Sequence, residues 1–233
     1  DEVAGRTPRK TVRGFEEDLS SLMMFLAHKE DVVLAKRPPL RTLKSLHQAG
    51  FAIPQFLEDL EALGDRKRGT SHPWGWSPSV AKRLGTQWNP GWRCLYDKTW
   101  ALDQRRIFYA TAPSEHLLAD TAEIHIELDP LLDQLRQPGN WVIKAPFSTS
   151  GFGRTRVENE PAASQLGWIT KQLASGPLLV ERWEERLLDF SVQVEVGERS
   201  RVVGLTRFWT NPMGNYLGTV ASKWQTGLSA EWL

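Results

Sequence analysis

The chain has 233 residues, 40% of them hydrophobic and 24% charged, enough for one large or two modest domains with a buried core. Its 29 basic and 28 acidic residues leave a net charge of +1, which excludes the broad electrostatic pull of a nucleic-acid or anionic-membrane binder. The single cysteine, Cys94, excludes an internal disulfide framework and fits a reducing compartment such as the cytoplasm, and no run approaches the ~20 apolar residues that span a bilayer.

Residues 1–13 are polar and mixed in charge, the composition of a loosely ordered end. Over 15–28, Phe15, Leu19, Leu22, Met23 and Leu26 recur at helical spacing. The β-branched run 31–35 predicts a strand stopped by Pro38 and Pro39. A helix over 40–49 closed by Gly50 and a strand over 51–56 follow, giving the alternation of an α/β layer. Residues 64–75 are rich in glycine and basic residues and read as a surface loop. The run Gly64 to Ser71 superficially matches a phosphate loop, but no lysine follows Gly69 and no buried strand leads into it. Ser77 and Pro78 are placed as N-cap and first residue of a helix running to Leu84.

Helix is predicted over 97–109 and over most of 117–135, with a brief extended piece at Ile124 to Ile126. Gly139 and Asn140 mark a turn. A strand at 141–146, a strand at 154–158, a helix at 162–174 and a strand at 178–183 come next. Alternation over 191–196 and 201–209 predicts an antiparallel pair. The expected organisation is a flexible 1–14, an α/β domain at 15–75, a helical region at 76–140, a small glycine-loop subdomain at 141–183, and a further subdomain beginning at 184–233.

The chemistry concentrates around Lys144, at the end of an apolar strand and directly before Ser148, Thr149, Ser150, Gly151 and Gly153. Glycines let backbone N–H groups approach an anion, hydroxyls add donors, and the ammonium supplies charge, so the segment is suited to phosphate. A glycine hairpin beside an exposed lysine is the plain alternative. A dinucleotide fingerprint is excluded, because Arg156 stands where its third glycine belongs. One helix downstream, Leu178, Leu179, Val180 and Glu181 form an apolar strand whose end offers backbone groups to a purine. Trp183 follows, and Asp189 can accept ribose hydroxyls. Lys98 lies upstream at a predicted helix start, where an ordinary surface lysine is the alternative, and Glu184 to Arg186 read as a solvated turn.

The order Lys98, Lys144, serine and glycine loop, helix, Leu179-Val180-Glu181-Arg182-Trp183, then Asp189 resembles the ATP-grasp superfamily, including D-alanine–D-alanine ligases. The resemblance spans roughly 31–223 and is carried mainly by 141–192. It implies an α/β (α+β) fold class: a pre-ATP-grasp α/β layer followed by an incomplete ATP-grasp nucleotide-binding fold. It also implies that Lys98 and Lys144 bind the phosphates of ATP, that Ser148, Ser150, Gly151 and Gly153 belong to a mobile loop over them, and that Glu181 and Trp183 form the adenine hinge. Asp189 would then take the acidic ribose-contact position, and Lys223 would be a further lysine directed to the γ-phosphate. The expected activity is that of an ATP-dependent ligase joining a small-molecule carboxylate to an amine or thiol. The family's Mg2+ ligands lie downstream of the part matching Tyr216, where this sequence offers only Glu231, so they are expected outside this chain, and the lack of an initial methionine is consistent with a fragment.

Three other readings remain open from sequence. One is a nucleotide-binding or regulatory module without catalysis. Another is an alcohol kinase on the same fold. The third is a partner- or glycan-binding domain built on Trp74, Trp76, Trp88, Trp92 and Trp100, whose rings more often anchor a core. No sequence-local metal motif is present, and His125, in an apolar stretch, is expected to be a hydrogen-bonded structural residue.

Overall fold

The computed structural model describes residues 2–5, 10–64, 66–111, 121–148 and 151–220. They divide into two units, Asp1–Tyr96 and Asp97–Leu233. The division falls inside the 76–140 region that the sequence groups together. Among the described residues no helix is long and apolar enough to cross a membrane.

In the first unit the β-branched Val32 and Val33 open strand β1 (Val32–Leu34), which pairs in parallel with β2 (Gln55–Leu57). Parallel pairing requires a crossover, and α2 (Leu40–Gln48) supplies it, ending before Gly50, whose φ of +88° reverses the chain. The predicted strand over 51–56 is therefore shorter and shifted towards Leu57. Met24, Val33, Ala35 and Leu43 form the buried core, with Leu46, Ile53 and Phe56 packed on it.

Helix α1 (Lys10–Ser20) begins earlier than predicted and gives way to a 3-10 segment over Ser21–Phe25. That change alters which face is buried. Phe15, Leu19, Leu22 and Leu26 are exposed, whereas Met24 is buried. The tighter 3-10 winding, at three residues per turn, rotates Met24 inward in place of the expected α-helical stripe. Ser77 caps α3 (Pro78–Arg83) as predicted, its Oγ accepting from Val80 N at 3.3 Å.

The second unit is built on a four-stranded sheet in the order β3-β6-β4-β5, every neighbour antiparallel. Its strands are β3 (Glu123–His125), β4 (Asn140–Lys144), β5 (Arg154–Glu158) and β6 (Leu178–Arg182). Helices α5 (Leu128–Leu135) and α6 (Ala163–Leu173) cover one face. There Trp141, Ile143, Val157, Leu178 and Val180 bury against Leu131, Leu135 and Ile169. The brief extended piece expected at Ile124 to Ile126 is β3, one residue earlier, and the helix expected around it is, in the described part of 117–135, the shorter α5. His125 is buried and bonds Gln134 Oε1 at 2.6 Å, the structural role expected of it.

Side chains alternate across a strand, so Val142, Lys144, Leu179 and Glu181 point to the other face. The register pairs Val142 with both Arg156 and Glu181, and Lys144 with both Arg154 and Leu179. Helix α4 (Lys98–Tyr109) lies over this side, where Leu102 and Ala122 bury with Leu179. A second, three-stranded antiparallel sheet follows: β7 (Asp189–Glu195), β8 (Arg201–Thr210) and β9 (Tyr216–Val220). The β7–β8 pair matches the alternation in the sequence; β9 was not predicted.

Candidate functional site

Asp97 fixes the start of α4, its Oδ1 accepting from Thr99 N at 2.8 Å and from Thr99 Oγ1 at 2.6 Å. That places Lys98 in the first turn, against the segment leaving β4. The backbone N–H of Lys98 donates to Pro146 O at 3.2 Å. Its ammonium donates to Ser148 Oγ at 2.8 Å, to Ser148 O, and to Pro146 O at 3.4 Å. Burial pulls the Lys98 pKa below the ordinary lysine value, and the charge of Lys144 adds to the pull, while Asp97 and Glu181 oppose it.

The glycine loop doubles back on this contact. Ala145 N donates to Gly153 O at 2.8 Å, and Ser148 Oγ donates to Ala145 O at 3.1 Å. Gly153 holds φ at +63°, and a Cβ there would stand 2.7 Å from Ser148 Cβ, so both the turn and the close approach require glycine. Gly151 is also left-handed, at φ +80°. Ser150 and Lys223 lie outside the described residues.

On the same face Lys144 Nζ is paired with Glu181 Oε1, and Arg105 Nη1 stands 3.7 Å from Glu181 Oε2. The Lys144 and Glu181 side chains are 25% and 19% exposed, too buried for either charge to stand alone cheaply. Strand β6 runs two residues, Glu181 and Arg182, past the end of its ladder with β3 at Glu123 and Val180. Lys98, Ser148, Gly153, Lys144 and Glu181 therefore belong to one connected arrangement of cations, hydroxyl, tight backbone turn and acid.

Trp183 and Asp189 belong to a second, neighbouring arrangement. Trp183 N donates to Asn140 O at 2.8 Å. Its ring carries three guanidinium groups, those of Arg154, Arg156 and Arg186, at 5.5, 5.3 and 5.0 Å from the centroid. Asp189 Oδ2 accepts from Thr210 Oγ1 at 2.6 Å and stands 3.5 Å from Arg186 Nη1. Arg186 also reaches Thr210 Oγ1 and Asn211 O, so the solvated turn expected over 184–186 is anchored through its arginine. An open cavity of about 370 Å³ lies here, bordered by Arg156, Trp183, Arg186 and Pro212, within the size range of small-molecule sites.

Sequence reasoning missed Arg105, Arg154, Arg156 and Arg186. The spacing of Arg154 and Arg156 at i and i+2 on a strand was the available signal, because it sets both on one face. Arg105 stands seven residues after Lys98 in one helix, two turns on and on the same face, and that i, i+7 spacing was its available signal. Three of the five tryptophans pack on one another, Trp76 and Trp92 5.2 Å apart and Trp88 and Trp92 5.8 Å apart, whereas Trp74 and Trp100 are exposed. For Trp76, Trp88 and Trp92 that packing is of the anchoring kind.

No family model matches the chain. No curated protein matches it either. Among solved structures, it is similar to N5-carboxyaminoimidazole synthetase from Staphylococcus aureus complexed with ADP, at 13% identity and a TM-score of 0.44, over 83% of this chain and 45% of that one. It is also similar to D-alanyl-alanine synthetase A from Vibrio cholerae, at 13% identity and a TM-score of 0.42, over 66% of this chain and 48% of that one. The chain spans less than half the length of either.

Proposed function

We propose that this chain holds ATP within an ATP-grasp-type ligase that joins a small-molecule carboxylate to an amine or thiol. The observation that supports this reading most is the placing of Lys98, Ser148 and the Lys144–Glu181 pair around one tight glycine turn, with no carboxylate of the described residues in an ion pair with Lys98. In the free protein each ammonium is already occupied, Lys98 by loop oxygens and Lys144 by Glu181. Phosphate oxygens would replace Ser148 and Pro146 as acceptors for Lys98 and would share Lys144 with Glu181. The end of β6 at Glu181 and Arg182 is where main-chain groups would meet adenine, with Asp189 and the cavity beside Trp183 next to it.

In the reaction a substrate carboxylate oxygen attacks the γ-phosphorus. A P–O bond forms to the acid and the bond to the β-phosphate oxygen breaks, releasing ADP. The amine or thiol then attacks the acyl carbon and expels inorganic phosphate. Lys98 and Lys144 would stabilise the negative charge carried by the phosphates, a contribution of position and electrostatics with no protein nucleophile. Among the described residues no group of three His, Cys, Asp or Glu could hold a metal ion, and Glu181 is paired with Lys144 and Arg105.

The test is titration calorimetry with ATP, ADP and AMP. Binding that strengthens from AMP to ATP in the parent chain and disappears in Lys144→Ala supports the reading. ATP affinity equal in the two proteins removes the phosphate assignment.

A further inference from the structure

Arg154 does something that the nucleotide reading leaves unused. It follows the glycine loop directly and opens β5, where its backbone is the register partner of Lys144. Its guanidinium stacks on Trp183 and donates from Nη2 to Met213 O at 2.6 Å. Met213 belongs to the turn joining β8 to β9. That turn is closed by its own bonds, Asn211 N to Asn215 O at 2.9 Å, Gly214 N to Asn211 O at 2.7 Å and Asn215 N to Asn211 Oδ1 at 2.8 Å. A Cβ on Gly214 would stand 3.0 Å from both Arg154 Nη2 and the Trp183 ring. A Cβ on Gly151 would stand 3.2 Å from Asn215 Oδ1 and 3.3 Å from Arg154 Nη2. The same guanidinium therefore fills the space between the glycine loop and the turn.

The other two arginines on Trp183 have acidic partners: Arg156 pairs with Glu158 at 2.8 Å and Arg186 with Asp189 at 3.5 Å. Arg154 is bonded to the main-chain carbonyl of Met213 in the β8–β9 turn, whose Asn211 carbonyl Arg186 also reaches. Only a planar cation can lie on an indole face and donate in its own plane to a carbonyl; a lysine can donate but cannot stack in this way.

We propose that Arg154 is a positioning residue: through Trp183 and Met213 it fixes the Gly151–Gly153 end of the glycine loop, and with it the strand pair that carries Lys144, to the β8–β9 turn. Only the consequence for phosphate binding rests on the nucleotide reading. The contact itself is a property of the nucleotide-free chain.

Hydrogen exchange on the nucleotide-free protein tests it. In Arg154→Ala, exchange should rise about thirtyfold at both Gly151–Gly153 and Met213–Asn215, the low end of what is expected when one hydrogen bond from a charged group and a stacked cation are lost. Amides of β4 and β6 should keep the parent rate. Arg154→Lys should recover part of the protection, because a donor to Met213 remains without the stack. Gly214→Ala should loosen the same two segments by driving Arg154 and Trp183 apart. A rise in one segment only, no recovery with lysine, or faster exchange spread through β4 and β6 would overturn the proposal. A parent chain that shows the coupled protection but binds no ATP would sink the nucleotide reading and leave this one standing.

Discussion

Glu181→Gln removes the acid that holds Lys144 while keeping its shape. The lost carboxylate touches Lys144 directly and lies 3.7 Å from Arg105. At 4 Å and an effective dielectric near 20, each such pair is worth about 4 kcal/mol before desolvation. Desolvation and competing water reduce that: exposed pairs contribute about 0–1 kcal/mol, and breaking a fully buried pair costs about 3–5 kcal/mol. With its partners 25% and 19% exposed, this one falls between, and we expect a loss of about 2 kcal/mol. For a chain of this length that lowers Tm by roughly 4–8 °C. Lys144→Met should cost less, about 1 kcal/mol, because Arg105 still faces the acid. The assay is a double-mutant cycle read at the exchange of β4 and β6 amides, which isolates this sheet from the other unit. A coupling of about 1–2 kcal/mol is expected. Single effects that simply add would refute the ion pair and with it the idea that Glu181 occupies Lys144 in the free protein.

Two further outcomes follow from the same residues. Burial and then Lys144 lower the Lys98 pKa, so Lys144→Met should raise it towards the ordinary lysine value, and Glu181→Gln should lower it further. The folded chain then binds its Lys98 proton more weakly than the unfolded chain, so Lys98 costs stability below its folded pKa, and that cost is relieved as pH rises through it. Side-chain NMR titration of Lys98 in the three proteins reads this, and a shift of opposite sign in either variant would contradict the described charges. Gly153→Ala imposes a side chain at φ +63° and 2.7 Å from Ser148 Cβ, so a destabilisation of about 1–3 kcal/mol is expected together with weaker ATP binding. Parent-like melting and calorimetry would show that the loop is built otherwise.

Local chemistry made much of this chain legible before its structure. Ser77 before Pro78, Gly50 after an apolar helix, and the small-residue break between two strands each specify a backbone event with residues close in sequence. The succession from β4 through α6 to β6 was readable for that reason, as was Lys98 at a helix start. What failed depended on partners far apart. The face formed by Phe15, Leu19, Leu22 and Leu26 was periodic yet stays exposed, and Met24, in the 3-10 segment that begins at Ser21, is buried instead. Strand β9, at Tyr216–Val220, was missed, because its place depends on pairing with β8. The pairing of Lys144 with Glu181 and the stacking of Arg154 on Trp183 depend on strand register and side-chain direction. Neither follows from spacing along the chain.

The convergence of Lys98 and Lys144 on one triphosphate is tested most directly with an ATP analogue carrying an acyl group on its γ-phosphate. A lysine held beside the phosphates attacks the acyl carbon, gains an amide and releases ATP, and the lowered pKa of Lys98 favours that attack. Peptide mapping should find the acyl group on Lys98 and Lys144, and excess ATP, but not AMP, should prevent it. Labelling confined to other lysines such as Lys82 and Lys171, or labelling that ATP does not suppress, would contradict a phosphate site between these two residues.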